Sequence, residues 1–167
     1  AAGASYQVME FCGDGAGKLS VEDRMVLCNL AVEAGAKTAI FEPDDIALQW
    51  LDKRGRKPKA VFKSDEDARY VKEYTFDLDQ IRPVAARPDF VDDVAPVEEV
   101  LGTRIDEAFL GSCNNGRIDD LRVGAAIVKG RKVSDHVRFL VVPASRQVYL
   151  QALEEGLIQI FMESGAI

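Results

Sequence analysis

The stretch that decides the fold reads IDEAFLGSCNNGRIDDLRVGAAIVKG, residues 105–130. Its first six residues have the apolar character of a strand, the polar GSCNNG predicts a turn, and the rest has helical spacing with Leu121 and Ala125 on one face. A second strand at 136–143 and a second helix at 145–156 follow. Strand, helix, strand and helix at this spacing predict a parallel sheet with helices packed on it.

The first half of the chain contains one helix with both ends marked. Ser20 followed by Asp23 resembles a capping box, and Gly35 suits the left-handed position after a last turn. A helix is therefore predicted between Ser20 and Gly35. Apolar runs and alternation predict further strands and one more helix: strands at 37–43, 59–62 and 70–78, and a helix at 45–53.

These elements together predict an α/β fold, a three-layer α/β/α arrangement of parallel sheets with flanking helices. Three prolines and several acids fall in IRPVAARPDFVDDVAP, which predicts a linker. We therefore expect a first α/β lobe at residues 1–80, a proline-rich linker at 81–96 and a second α/β lobe at 97–167.

Composition limits the classes of partner. The 167 residues are 47% apolar and carry 28 acids against 21 bases, a formal net charge of −7. That balance argues against nucleic acid or an anionic membrane as the main partner, but leaves room for a small anionic substrate. No apolar run approaches the roughly 20 residues of a membrane helix. The chain starts without methionine and stops abruptly, which predicts a section of a longer protein.

Cysteine and histidine usage limits the possible metal chemistry. Cys12, Cys28 and Cys113 are odd in number and form no CxxC, which favours free thiols in a reducing cytoplasm. The single histidine, His136, excludes a multi-histidine metal site and is predicted to be a solvated loop residue.

Two features of the first helix region bear on function. The glycine-rich CGDGAGKLS at 12–20 is not a Walker phosphate loop, because three residues separate Gly13 from Gly17 and no hydroxyl residue follows Lys18 directly. Asn29 and Glu33 lie four residues apart, so on one helix they would share a face and could reach one ligand. A solvated glutamate near a helix end is the more ordinary interpretation of the same spacing.

Cys113 lies in a turn that follows a strand and precedes a helix. This position predicts the carboxyl edge of a parallel sheet, where open α/β folds bind ligands. A helix amino terminus favours the thiolate form, and Gly116 allows close backbone approach. One cysteine cannot hold a cluster alone. From the residues themselves, an incidental thiol and a metal ligand both remain open.

These residues resemble a known family. FLGSCNNGRIDDLR is similar to the GSCTN cysteine loop of the aconitase superfamily, most closely to the large subunits of 3-isopropylmalate dehydratase and homoaconitase. RMVLCNLAVEAGAKTAIFEPDD and HVRFLVVPASRQVYLQALEEGLI resemble the same family, and the likeness extends in order over nearly the whole chain. Asn114 stands where relatives usually carry threonine.

The resemblance implies roles for four residues. Cys113 would be one of three thiolate ligands of a 4Fe-4S cluster whose fourth iron is open to substrate, and Asn115 would support the cluster. Asn29 and Glu33 would line the cluster and substrate site, where Glu33 orients the departing water and Asn29 donates a hydrogen bond. The implied reaction is dehydration and rehydration of a 2-hydroxy di- or tricarboxylic acid.

The resemblance also implies that this section is incomplete as a catalyst. The other two cluster cysteines are expected in a CxxC after Ile167, and the serine base in a swivelling domain on a small partner subunit. We therefore expect the isolated section to assemble no stable cluster and to be inactive. Two alternatives stay open: a non-catalytic α/β regulatory or interaction module, and a redox-sensing thiol domain around Cys113.

Overall fold

The computed structural model describes residues 3–167. The chain divides into two compact units, with the boundary between Leu101 and Gly102. Both units combine helices with a parallel strand pair, so the predicted α/β class is confirmed. Residues 81–96, predicted as a linker, contain two short strands of the first unit.

The first unit contains two strand pairs. β1 and β2 are parallel, with Val8 opposite Thr38 and Phe11 opposite Phe41, and β3 and β4 are antiparallel. The elements in chain order are β1 (Val8–Phe11), α1 (Asp14–Lys18), α2 (Val21–Leu30), a 3₁₀ helix (Ala31–Ala34), β2 (Thr38–Phe41), α3 (Asp45–Asp52), a 3₁₀ helix (Leu78–Gln80), β3 (Val84–Ala86), β4 (Val94–Pro96) and a 3₁₀ helix (Val97–Val100).

The second unit is built on one parallel strand pair. β5 and β6 run parallel, with Glu107 opposite Arg138 and Gly111 opposite Val142. The elements in chain order are β5 (Glu107–Gly111), α4 (Ser112–Asn115), α5 (Ile118–Val128), β6 (Arg138–Val142), α6 (Arg146–Glu154) and α7 (Leu157–Ser164).

The predicted caps of α2 are confirmed. The Asp23 amide donates to the Ser20 hydroxyl at 3.1 Å, and the Ser20 amide donates to the Asp23 carboxylate at 3.2 Å. Gly35 ends the segment in the left-handed conformation, with φ 83°. The α-helix itself stops at Leu30, because the last turn before Gly35 tightens into a 3₁₀ helix.

An ion pair between the buried Arg24 and the partly exposed Asp44 joins α2 to α3. Arg24 is 5% exposed, and its guanidinium donates to both carboxylate oxygens of Asp44 at 2.8 and 2.7 Å. Asp44 also caps α3 by accepting from the Ala47 amide at 3.0 Å. The hydrogen bonds from Arg24 lower the pKa of Asp44 to about 2. The carboxylate therefore stays ionised, and can cap α3, at pH values above about 2.

Two predicted strands, at 59–62 and 70–78, are wrong. Both stretches are irregular and exposed, with only a short 3₁₀ turn beginning at Leu78. Side chains rather than a backbone ladder hold this region to the sheet: Ser64 donates to Glu10 at 2.9 Å and Tyr70 donates to Glu10 at 3.0 Å. Alternating apolar residues alone do not make a strand where no partner strand lies alongside.

The core of the second unit is formed by α5, α6 and α7. Leu121, Ala125, Ala152 and Phe161 are buried there, and Phe139 of β6 packs on Phe161 edge to face with ring centroids 6.1 Å apart. The predicted face of α5 and the predicted helix α6 are confirmed, while α7 was not predicted. No helix within residues 3–167 is long and apolar enough to cross a membrane.

Candidate functional site

The loop that carries Cys113 begins at the carboxyl end of β5. Gly111 has φ 158° and Ser112 has φ 69°, so the chain turns sharply out of the strand before α4. Cys113 and Asn115 are exposed on that short helix, where a plain turn was predicted. A positive φ is unusual for serine, and such conformations persist only where the surroundings hold them. The turn therefore presents the thiol at the edge of the parallel pair.

Two glycines hold this turn against β6. A Cβ atom on Gly111 would collide with the Val142 carbonyl oxygen, and one on Gly116 would lie 2.6 Å from that same oxygen and 2.7 Å from the Ser112 oxygen. The Gly116 amide donates to the Ser112 carbonyl at 3.1 Å, and its own carbonyl accepts from the Ala144 amide at 2.7 Å. The cysteine turn is thus joined to the connection that follows β6.

Replacing Gly116 by alanine should destabilise the second unit, because the new methyl group meets backbone atoms that have no freedom to rotate away. We expect the free energy of unfolding to fall by about 1–3 kcal/mol, the usual cost of overpacking. Urea unfolding measures it. Gly17→Ala is the matched control, since a Cβ there has no heavy atom within 4 Å. Equal stability of the two variants would contradict the packing argument.

The donors in this loop fit one corner of a metal cluster. The exposed thiol of Cys113 is a suitable iron ligand, and the neighbouring polar residues Asn114 and Asn115 offer amide groups. Within residues 3–167 no three histidine, cysteine or acidic side chains come together as a possible metal site. The loop can therefore contribute a single thiolate, and a cluster there needs ligands from other residues.

Asn29 and Glu33 belong to the first unit, whereas Cys113 and Asn115 belong to the second. Asn29 lies in α2 and Glu33 in the 3₁₀ helix that continues it; both are exposed. The regular i, i+4 relation of an α-helix therefore does not extend to Glu33, because a 3₁₀ helix has about 3.0 residues per turn. Their shared role stays a prediction.

His136 was predicted to be a solvated loop residue, and it is exposed and hydrogen-bonded to Ser134 at 2.8 Å.

Sequence reasoning missed Arg24, a buried charge of the first unit. A signal was present: Val21, Met25 and Cys28 recur at helical spacing and form an apolar stripe on α2. Arg24 lies three residues after Val21 and four before Cys28, within that stripe. A charge at such a position indicates a buried partner.

The parallel strand pairs make this an α/β protein, and its cysteine turn follows the carboxyl end of a parallel strand, the position at which open α/β folds bind ligands. The chain belongs to the aconitase family: the model of the "Aconitase family (aconitate hydratase)" matches residues 1–104 and 98–167. The resemblance stated from the sequence is therefore confirmed.

Curated relatives within this family are similar over almost the whole chain. A probable 3-isopropylmalate dehydratase large subunit of Methanothermobacter thermautotrophicus is 53% identical over 99% of this chain and 39% of its own length. A probable methanogen homoaconitase large subunit of the same organism is 48% identical, again over 99% and 39%. A 3-isopropylmalate dehydratase large subunit of Sulfurihydrogenibium sp. is 47% identical over 99% and 38%. The chain spans about two fifths of the length of these relatives.

Proposed function

We propose that the protein containing this chain is a hydro-lyase that isomerises a 2-hydroxy di- or tricarboxylic acid by removing and re-adding water. The observation that carries the proposal is the exposed Cys113 on a glycine-bounded turn at the carboxyl end of a parallel strand, in a chain of the aconitase family. Relatives named as 3-isopropylmalate dehydratase and homoaconitase large subunits support the reaction type.

Cys113 would supply one thiolate to a 4Fe-4S cluster, and Asn115 would support that ligand from the same turn. The bound cluster supplies a Lewis acid that polarises a hydroxyl or carboxylate group of the substrate. Because the thiol is exposed and Gly111 and Gly116 fix the turn, the ligand is oriented before the cluster binds. The remaining cluster ligands would come from the part of the enzyme that this chain does not span.

Asn29 and Glu33 would act on the substrate side. Dehydration breaks a C–O bond and a neighbouring C–H bond. The departing hydroxyl must gain a proton to leave as water, and a base, which would be the serine of the small subunit, must take the carbon-bound proton. The Glu33 carboxyl group would hydrogen-bond to the departing water, and the Asn29 amide would donate to the substrate or the cluster. Both side chains are exposed, as groups that meet a ligand must be.

The partner would be a small subunit, because the relatives are named large subunits. The family resemblance would place the swivelling domain on that subunit. The second unit exposes apolar side chains that such a partner or the rest of the enzyme would cover: Phe109, Val123, Ile127 and Met162 are each more than half exposed. Val123 and Ile127 lie one turn apart on α5, and exposed apolar side chains that share a face commonly mark interfaces.

The test uses the full-length large subunit, reconstituted without oxygen and combined with its small subunit. We expect about four irons per chain and dehydration of 3-isopropylmalate or homocitrate, followed by the ultraviolet absorbance of the unsaturated acid. Chelation of iron should abolish turnover, and reconstitution should restore it. A protein that binds no iron and dehydrates none of 3-isopropylmalate, homocitrate and citrate would refute the proposal.

A further inference from the structure

The first unit contains a half-open cavity with a volume of about 250 Å³. Its walls come from α2, β2, α3 and the irregular segment 58–61, and they are almost entirely apolar; they include Met25, Cys28, Phe41, Leu48, Leu51 and Val61. This volume lies just below the roughly 300–1,000 Å³ of small-molecule sites. The cavity therefore suits a ligand with a short hydrocarbon body.

The cavity wall formed by residues 58–61 is held in place by polar contacts of the residues that follow it in the sequence. Lys63 pairs with Glu42, next to β2, at 2.8 Å, and Ser64 and Tyr70 both donate to Glu10 of β1. At the inner side Arg24 is already engaged: it binds Asp44 and donates to the Leu19 carbonyl at 3.1 Å. The arginine thus shapes the cavity, and its charge is balanced by Asp44.

The segment that contains this wall, residues 53–63, has an excess of positive charge. Residues 53–63 contain six lysines and arginines and no acid, in a chain whose net charge is −7. Two of the six are paired, since Arg54 lies 3.6 Å from Glu22 and Lys63 binds Glu42. Lys57 and Lys59 flank Pro58 of the cavity wall, are exposed, and form no ion pair with any residue of the described range 3–167.

We propose that this cavity binds a short-chain aliphatic carboxylate. Its hydrocarbon chain lies between α2 and α3, and its carboxylate lies beside Lys57 and Lys59. Burial of the chain against Met25, Phe41 and Leu48 supplies the apolar contact, and the two unpaired ammonium groups select an anion over a neutral molecule of the same shape. This site goes beyond the proposed hydro-lyase activity and does not depend on it.

Cys28 gives a readout at the cavity itself. Because it lines the wall, a ligand in the cavity would block access to its thiol. Burial raises the pKa of that thiol, so we expect slow alkylation even without ligand. The full-length protein is alkylated with N-ethylmaleimide in the presence of hexanoate, hexanol or acetate, and each cysteine is followed by mass spectrometry. Cys12, which is exposed, is the internal reference.

Hexanoate at about ten times its Kd should slow alkylation of Cys28 about tenfold and leave Cys12 unchanged. Acetate should protect little, because it lacks the apolar chain, and hexanol should protect less than hexanoate, because it lacks the charge. Equal protection by hexanol and hexanoate would overturn the carboxylate assignment. The absence of protection, or a Cys28 that is unreactive without ligand because other parts of the enzyme cover it, would overturn the site.

A double variant that removes both positive charges tests the role of the lysines. In the double variant Lys57→Gln, Lys59→Gln, protection by hexanoate should fall to the level given by hexanol. Rates with and without ligand are compared within each variant, so a change in the basal reactivity of Cys28 does not affect the result. Lys129→Gln with Arg131→Gln removes two exposed charges of the second unit and should leave protection unchanged. Equal behaviour of the two double variants would contradict the proposed charge contact.

Discussion

Cys113→Ser in the full-length protein is expected to abolish turnover and to lose most of the cluster iron. A serine hydroxyl is a much poorer iron ligand than a thiolate, and the turn at residues 111–116 contains no second cysteine. The loss should exceed the roughly 10–100-fold that removal of an outer-sphere partner costs at a metal site. Iron content, the EPR signal of the reconstituted protein and the dehydration rate measure it.

Cys12→Ser is the matched control for that experiment, because Cys12 is also an exposed thiol. It should keep wild-type iron content and activity. Urea unfolding of both iron-free variants separates loss of the ligand from loss of the fold, since an exposed serine should leave stability nearly unchanged. A Cys113→Ser protein with the wild-type EPR signal would remove Cys113 from the ligand set. Retained turnover together with lost sensitivity to oxidants would instead favour the redox-sensing alternative.

The second unit could be predicted from the sequence because its signals are local. Leu121 and Ala125 repeat at helical spacing, and Ser145 caps α6 by accepting from the Val148 amide at 3.2 Å. The place of Cys113 at the carboxyl end of β5 follows from the order of strand and helix. The close packing of Gly111 on Val142 could not be predicted, because it depends on the register of two strands about 30 residues apart in the sequence.

The first unit was harder to predict because its contacts are non-local and polar. β1 is four residues long and was missed; it becomes a strand by pairing with β2, some 30 residues further on. Residues 59–62 and 70–78 have the alternation of strands, yet side-chain hydrogen bonds to Glu10 hold this region instead of a ladder. Alternation reports which side chains are apolar, and the presence of a partner strand is settled only by the whole fold.

The proposed substrate residues and the proposed cluster ligand should be distinguishable by mutation. The proposed substrate residues Asn29 and Glu33 lie in one unit and the proposed ligand Cys113 in the other. Because the Cys113 thiolate would hold the cluster and the Glu33 carboxyl group would act on the substrate, changes at Cys113 should remove iron and turnover together, while changes at Glu33 should remove turnover and leave iron in place. This separation distinguishes a substrate-side group from a cluster ligand.

Glu33→Gln in the full-length enzyme is expected to lower kcat by about 10²–10⁴-fold, the usual contribution of a group that moves or holds a proton in the transition state. Glutamine keeps the size and one hydrogen-bond acceptor but cannot exchange a proton with the departing or returning water. Iron content and the EPR signal should match those of the wild type. Glu33 is exposed and does not belong to the buried apolar cluster of the first unit. The free energy of unfolding measured in urea should therefore change little.

The matched control is Glu154→Gln, which removes an exposed carboxylate at the end of α6. It should leave kcat unchanged, which would show that the loss in Glu33→Gln does not arise merely from removing one negative charge. If Glu33→Gln raised KM while kcat stayed constant, Glu33 would be a binding group without a part in proton handling. Wild-type kcat and KM together would remove Glu33 from the site. The tight 3₁₀ turn between α2 and Gly35 would then have a purely structural role, ending the helix before β2.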